Sequence, residues 1–260
     1  MRALVTGAGK RLGRAMAIYL GGRGYDVAVH YATSGTEADS VVAEIRAMGR
    51  KAAAVQADLT VEADMQSLVA RAASALGGPL NVLVNSASIF EHDTIETATR
   101  DSWDRHLESN LRAPYVLTQT FAAQAPQTRH DAGAEPVAQA VIVNMIDQRI
   151  KRLTPEFSTY TLAKMGLWAL TRTSAQGLAP HVRVNAIGPG PTLRAAHQSE
   201  ADYAAERAST LLQRGVDPSD ITAALGFFLD ARAVTGQILC VDSGQHLAWE
   251  SVDSAHVRST

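Results

Sequence analysis

Tyr160 and Lys164 set a phenol and an ammonium four positions apart in Tyr160-Thr161-Leu162-Ala163-Lys164. On a helix that spacing places both side chains on one face. A neighbouring cation stabilises phenolate, so the pair is expected to lower the tyrosine pKa and let the phenol exchange a proton near neutral pH. A second constellation lies near the start of the chain, in Thr6-Gly7-Ala8-Gly9-Lys10-Arg11-Leu12-Gly13. Glycines between a strand and a helix let the backbone turn tightly and approach a pyrophosphate, whose charge the helix N-terminus stabilises. Gly7, Lys10, Arg11, Leu12 and Gly13 are therefore candidate cofactor residues; the competing reading is a plain tight turn. Lys10 lacks the spacing of a Walker phosphate loop.

A third signal is an absence. The second apolar run ends in His30-Tyr31-Ala32-Thr33-Ser34, where an NAD-specific site would carry an acidic residue for the adenosine 2′-hydroxyl. Without that carboxylate a 2′-phosphate meets no repulsion. Lys10, Arg11 and Arg14 lie nearby, and Thr33 and Ser34 offer hydrogen bonds. NADPH/NADP+ is the expected cofactor, with His30, Tyr31, Thr33 and Ser34 around its adenosine end; the alternative is a set of ordinary loop residues and surface cations.

The elements that must position these groups follow from the alternation of short apolar runs with longer amphipathic stretches. Strands are expected at residues 3–5, 27–29, 53–55 and 82–84, with helices at 11–20, 37–48 and 63–76. The second half continues with a helix over 101–124, a strand at 141–143, a helix over 160–178, a strand at 182–187, a helix over 218–229 and a strand at 237–241. This rhythm predicts an α/β fold: one doubly wound, Rossmann-type parallel sheet of about seven strands with helices on both faces. The domain should occupy residues 1–250, with a flexible tail over 251–260. Residues 126–139 read as a polar surface insertion. Residues 188–214, opening Gly188-Pro189-Gly190-Pro191, leave a strand end where they can cover a ligand.

Composition narrows the classes. Of 260 residues, 46% are hydrophobic and 19% charged, with net charge −2, so the chain can bury a core and has no basic bias towards nucleic acid. No apolar run approaches the roughly 18 residues of a membrane span, and structure-forming residues begin at once, which predicts no signal peptide. One cysteine, Cys240, forbids an intrachain disulfide and fits a reducing, cytoplasmic setting. Eight histidines without metal-ligand spacing argue against a structural metal.

Taken jointly, Thr6 to Gly13, Asp58-Leu59, Asn85-Ser86-Ala87, Asn110, Tyr160 to Lys164 and Gly188-Pro189-Gly190 recur in the order and spacing of the short-chain dehydrogenases/reductases, which the chain resembles from Arg2 to Leu247. The resemblance implies that Asp58 and Leu59 contact the adenine, that Asn85, Ser86 and Ala87 shape the central cofactor pocket together with Pro189 and Gly190, and that Lys164 also binds the nicotinamide ribose. Asn110 would hold a water in a proton relay to Lys164; Asn85 and Asn110 also read as caps. A homotetramer or dimer is implied.

Two departures from the main branch stand out. Arg11 replaces the middle glycine of the fingerprint, and Asp147 replaces the usual serine thirteen positions before the tyrosine. With His30-Tyr31 and Asn85-Ser86-Ala87-Ser88-Ile89-Phe90, these features resemble the pteridine reductases and bacterial dihydromonapterin reductases. In that subgroup an aromatic residue at the position of Phe90 stacks on the pterin, Ser88 binds cofactor phosphate or substrate, and Arg11 lies near both. The expected activity is NADPH-dependent reduction of a pterin C=N bond, with Asp147 and Tyr160 assisting protonation. A carbonyl or 3-oxoacyl reductase is the alternative, and an inactive nucleotide-sensing binding protein the rival from another class.

Overall fold

The computed structural model describes residues 1–194 and 198–249. The expected tail at 251–260, and three residues inside the ligand-covering segment, lie outside the described residues. Nine strands and eight α-helices follow one another along the described chain. β1 (Arg2–Val5), β2 (Asp26–Tyr31), β3 (Ala52–Gln56), β4 (Val82–Asn85), β7 (Ala140–Met145), β8 (Val182–Pro189) and β9 (Ile238–Val241) form one sheet in the order β3-β2-β1-β4-β7-β8-β9. Every neighbouring pair runs parallel. The expected doubly wound fold is therefore the observed one. Strand order reverses between β1 and β4, and a crevice opens beyond the carboxyl ends of strands at such a switch point.

Burial on both faces explains why the central strands read as continuous apolar runs rather than alternating ones; β7 is buried along its whole length. On one face, α1 (Arg11–Gly22), α2 (Gly35–Ala47) and α8 (Pro218–Asp230) pack Met16, Leu20, Val41, Ile45 and Phe228 against the sheet. On the other, α3 (Glu62–Leu76) and α5 (Ala113–Gln124) contribute Met65, Leu68, Leu117 and Phe121. In α1 the buried residues Gly13, Met16, Ala17, Leu20 and Gly21 recur at helical spacing, which fixes the face it turns inward.

Two regions differ from the expectation. The insertion at 126–139 carries a small antiparallel pair, β5 (Arg129–His130) with β6 (Pro136–Val137). The single helix expected over 101–124 is broken into α4 (Arg100–Leu107), a π-helical turn (Glu108–Arg112) and α5. Pro114 supplies the physical reason: it stands four positions after Asn110 and has no N–H to complete the α-helical bond to that carbonyl. The widened turn carries Asn110 into the protein, where it is fully buried. The long helix α6 (Ser158–Leu178) brings Tyr160 and Lys164 under the crevice, and α7 (Glu200–Ala208) lies across its mouth.

Candidate active site

A single cleft of about 830 Å³ joins the glycine turn to the Tyr160–Lys164 pair, a volume in the usual range for small-molecule sites. Gly7, Lys10, Arg11, Leu12, Gly13, His30, Tyr31, Thr33, Ser34, Asp58, Leu59, Ser86, Ala87, Ser88, Phe90, Asp147, Tyr160, Lys164, Pro189 and Gly190 all line it. Asn85 and Asn110 do not; both are buried behind it.

The glycine turn is shaped by close backbone approach. Gly7 has φ +62°, and a Cβ there would sit 2.9 Å from Ala87 Cα. At Gly13 a Cβ would fall 2.2 Å from the Gly7 carbonyl oxygen, so α1 can start tight against the turn only with glycine. The Thr6 hydroxyl accepts the N–H groups of Ser86 and Ala87, both at 2.9 Å, and ties the first loop to the one after β4. Thr6 was legible only as part of a motif; its position at the end of β1 is the signal that could have singled it out.

His30 plays a part that its sequence position does not announce. Its Nδ1 accepts the Gly7 N–H at 3.0 Å, and its Nε2 lies 3.1 Å from the Ala57 carbonyl. These partners require a neutral ring with hydrogen on Nε2. Burial pushes its pKa down to about 4, so it stays neutral. His30 is a prop under the glycine turn as well as part of the cleft wall.

The cations expected around a 2′-phosphate are already engaged. Lys10 pairs with Glu37 at 2.7 Å, and Arg14 pairs with Glu44. Arg11, with φ 53°, reaches across the cleft to donate to the Leu193 and Arg194 carbonyls, both at 2.9 Å. It clasps the segment after β8 to the glycine turn.

At the other end Asp147 leaves β7 in extended geometry, and its Oδ1 accepts the Arg149 N–H at 2.8 Å. The Tyr160 hydroxyl donates to Asp147 Oδ2 at 3.0 Å. Lys164 donates instead to the Met145 carbonyl at 2.9 Å, with its ammonium 5.5 Å from the centre of the tyrosine ring. Burial pushes the Tyr160 phenol well above its usual range, and the Asp147 carboxylate pushes it further in the same direction. This corrects the expectation of a lowered tyrosine pKa: with Asp147 at the hydroxyl, the neighbouring charge is negative. Burial raises the Asp147 carboxyl, although the Arg149 N–H and charge, Tyr160 and Lys164 oppose it. Burial lowers Lys164 to about 8, with Asp147 holding it up in part.

Asn110 has its side chain engaged on the backbone of a neighbouring loop. Its Oδ1 accepts the Ile89 N–H at 2.9 Å and its Nδ2 donates to the Ile89 carbonyl at 2.8 Å, so its side chain clamps the loop before Phe90. Asn85 Nδ2 donates to Asn144 Oδ1 at 2.8 Å, and Asn144 passes the chain to Thr171 at 2.9 Å. Asn85 Oδ1, buried, meets no donor among the described residues. That orphan acceptor and the glycine cradle suit a nucleotide cofactor laid along the switch point.

Phe90 is 39% exposed, on the cleft wall rather than in the core. Its ring stacks on Phe157 at 4.3 Å and 9°, and meets Tyr160 edge-on at 4.8 Å. Phe157 itself has φ 58°, a left-handed conformation uncommon for a bulky residue and one that marks sites held by their surroundings. Phe157 and Arg149, whose guanidinium lies 4.9 Å from the Phe157 ring centre, were not singled out from the sequence; they sit in a polar loop without periodicity. Asp202, Tyr203 and Glu206 on α7 also line the mouth, and their one-face spacing is the signal that could have found them. Among the described residues no group of three or more His, Cys, Asp or Glu could hold a metal, and no helix is long and apolar enough to cross a membrane.

A parallel sheet with a glycine cradle at its switch point and a tyrosine–lysine pair beside it defines a nucleotide-dependent oxidoreductase of the Rossmann class. A family profile described as "Enoyl-(Acyl carrier protein) reductase" matches residues 7–246. The chain belongs to the short-chain dehydrogenase/reductase family. It is similar to the FolM alternative dihydrofolate reductase 1 of Brucella canis, solved with NADP: 38% identity, TM-score 0.89, covering 97% of this chain and 96% of that one. A short chain dehydrogenase from Burkholderia cenocepacia in complex with NADP superposes with TM-score 0.84 at 32% identity, covering 95% and 98%. The 3-oxoacyl-[acyl-carrier-protein] reductase FabG of Staphylococcus aureus is 30% identical over 250 residues, 94% of this chain and 98% of the relative.

Proposed function

We propose that this protein is an NADPH-dependent reductase of a pterin C=N bond. The observation that carries the reading is the contact between Tyr160 and Asp147, set beneath the Phe90 ring. A serine at the position of Asp147 would offer a neutral hydroxyl suited to polarising a ketone. A carboxyl group can accept hydrogen bonds from an amino-substituted heterocycle when ionised, or supply a proton when protonated. The similarity to a dihydrofolate-reducing relative solved with NADP supports both the pterin-like substrate and the cofactor.

The nicotinamide cofactor, when bound, supplies the hydride. Gly7 to Gly13 would hold its diphosphate against the start of α1, and Thr33, Ser34 and Lys10 its 2′-phosphate. Asp58 and Leu59 would contact the adenine, while Ser86, Ala87, Pro189 and Gly190 line the central part. Lys164 would hold the nicotinamide ribose. Phe90 stacks the flat substrate ring, with Phe157 buttressing it from behind, and Ser88 and Arg11 bound the same space. Tyr160 holds its proton towards Asp147, and a bound ring that covers the pair raises the carboxyl further by excluding water. With Asp147 protonated, Tyr160 would give its phenolic proton to the ring nitrogen and take one from the Asp147 carboxyl, which is left as the carboxylate.

The single cysteine supports a reducing, cytoplasmic setting. An apolar groove formed by Leu107, Leu111, Tyr115 and Leu170 supports a homo-oligomer, tetramer or dimer. A crystal grown with NADP+ and a dihydropterin tests the site: the ring is expected to lie on Phe90 within reach of Tyr160 and Asp147. A pterin seated elsewhere, with Phe90 untouched, overturns the substrate assignment.

A further inference from the structure

Behind the cleft lies a buried polar chain that the reaction itself does not use. Asp93, His106 and Thr159 are each 2% exposed or less. Asp93 follows Phe90 on the loop after β4, His106 belongs to α4, and Thr159 precedes Tyr160 at the start of α6. The Thr159 hydroxyl donates to Asp93 Oδ2 at 2.5 Å, and His106 Nδ1 lies 2.6 Å from the hydroxyl oxygen of Thr159. The Ser102 hydroxyl also donates to Asp93 Oδ2, at 3.0 Å. Asp93 Oδ1 accepts the Thr159 N–H at 3.1 Å, and the Asp93 carbonyl accepts the Ser158 N–H at 3.2 Å. At its other nitrogen, Nε2, His106 accepts the Glu91 N–H at 3.1 Å.

These partners leave one arrangement of hydrogens. The carboxylate of Asp93 can only accept, so the single hydroxyl hydrogen of Thr159 goes to it. Thr159 must then accept from Nδ1–H of His106, whose Nε2 is left free to take the Glu91 N–H. Every polar group in the chain is used, and the direction of each bond is fixed. Asp93 also takes the place of a missing helix cap: Phe157, the residue before α6, caps it with no side-chain hydrogen bond, and Asp93 accepts the first N–H groups from another segment.

We infer that Asp93, His106 and Thr159 are positioning residues that set the substrate-stacking ring and the proton donor at a fixed separation. The chain starts at Glu91, next to Phe90, and ends at Thr159, next to Tyr160. The His106 ring also meets the Tyr160 ring edge-on at 6.0 Å. A shift in either loop or helix would have to break a buried hydrogen bond, so the 4.8 Å contact of Phe90 with Tyr160 is held from both sides. The inference rests on the proposed roles of Phe90 and Tyr160.

Thr159→Val tests it, because valine keeps the shape and loses the hydroxyl. With NADPH and a dihydropterin, kcat/KM should fall roughly ten- to a hundredfold, the rate equivalent of one buried hydrogen bond left unmade. The loss should be shared between KM and kcat, because both the ring and the acid move, while the Kd for NADPH stays within about twofold. Thr159→Ser should restore most of the activity. His106→Gln, which keeps a donor and an acceptor, should lose less than His106→Leu, and thermal melting of each variant shows that it is folded. A folded Thr159→Val with unchanged kcat and KM overturns the positioning role. Tyr160→Phe, measured alongside, separates the two readings: if it is active, the catalytic assignment fails; if it is inactive while Thr159→Val is normal, the positioning inference alone fails.

Discussion

The Tyr160 hydroxyl donates to the Asp147 carboxylate at 3.0 Å, while Lys164 turns away to the Met145 carbonyl. The phenol therefore faces a negative neighbour instead of the positive one that a tyrosine–lysine spacing suggests. That relationship keeps Tyr160 protonated and sets a second titrating group, the Asp147 carboxyl, directly beside its hydroxyl.

Removing the phenolic proton should abolish most turnover. Tyr160→Phe keeps the ring against Phe90 and His106, so the fold should persist, while kcat falls by roughly 10²–10⁴-fold. Steady-state kinetics with thermal melting of the same sample separates lost chemistry from lost structure.

The pH profile follows from the directions of the shifts. Burial raises the Asp147 carboxyl, so it gains its proton as pH falls, and kcat/KM should rise towards the acid side until the protein destabilises. Lys164 carries its charge below about 8, so activity should decline above that pH. Asp147→Asn removes the acidic rise. It also removes the charge that helps hold Lys164 up, so the alkaline decline should move to lower pH. An unchanged profile in Asp147→Asn would remove the carboxyl from the relay.

Phe90 stands on the cleft wall, so its truncation should act on substrate more than on cofactor. Stacking beyond simple burial is worth about 0.5–1.5 kcal/mol, so Phe90→Ala should raise KM for a dihydropterin by roughly two- to twelvefold. The Kd for NADPH, read by fluorescence titration, should change little.

Cofactor choice should respond to charge at the end of β2. Ser34 and Thr33 line the cleft with no carboxylate among them, so Ser34→Asp should weaken NADPH through like-charge repulsion and narrow its advantage over NADH. Glu37 holds Lys10 at 2.7 Å; Glu37→Gln should release that ammonium and tighten NADPH. Equal kcat/KM for NADPH and NADH in the unmodified protein would contradict the assignment.

Much of this architecture is legible in the residues because burial on both faces writes the parallel strands as apolar runs. The glycine turn is legible because Gly7 and Gly13 answer steric demands that no other residue meets. What escapes the sequence depends on three-dimensional partners. Periodicity runs unbroken from Asp101 to Gln124, and only Pro114 hints at the turn that buries Asn110. His30 reads only as a cofactor contact in the sequence; its further part as a prop depends on the Gly7 N–H and the Ala57 carbonyl at its two nitrogens. The ion pairs of Lys10 and Arg14 tie the start of α1 to α2 across the intervening strand, and Phe157 gains its meaning from stacking on Phe90.

Whether the carboxyl–phenol pair serves a pterin is tested directly by one comparison. NADPH oxidation by the purified protein is measured with a dihydropterin and, separately, with a 3-oxoacyl thioester and a simple ketone under the same conditions. For the dihydropterin, kcat/KM should exceed that for either carbonyl compound by about a hundredfold or more, a difference of roughly 2.7 kcal/mol in transition-state binding. Faster turnover of the 3-oxoacyl thioester, with the dihydropterin inert, would contradict the pterin reading and assign the site to carbonyl reduction.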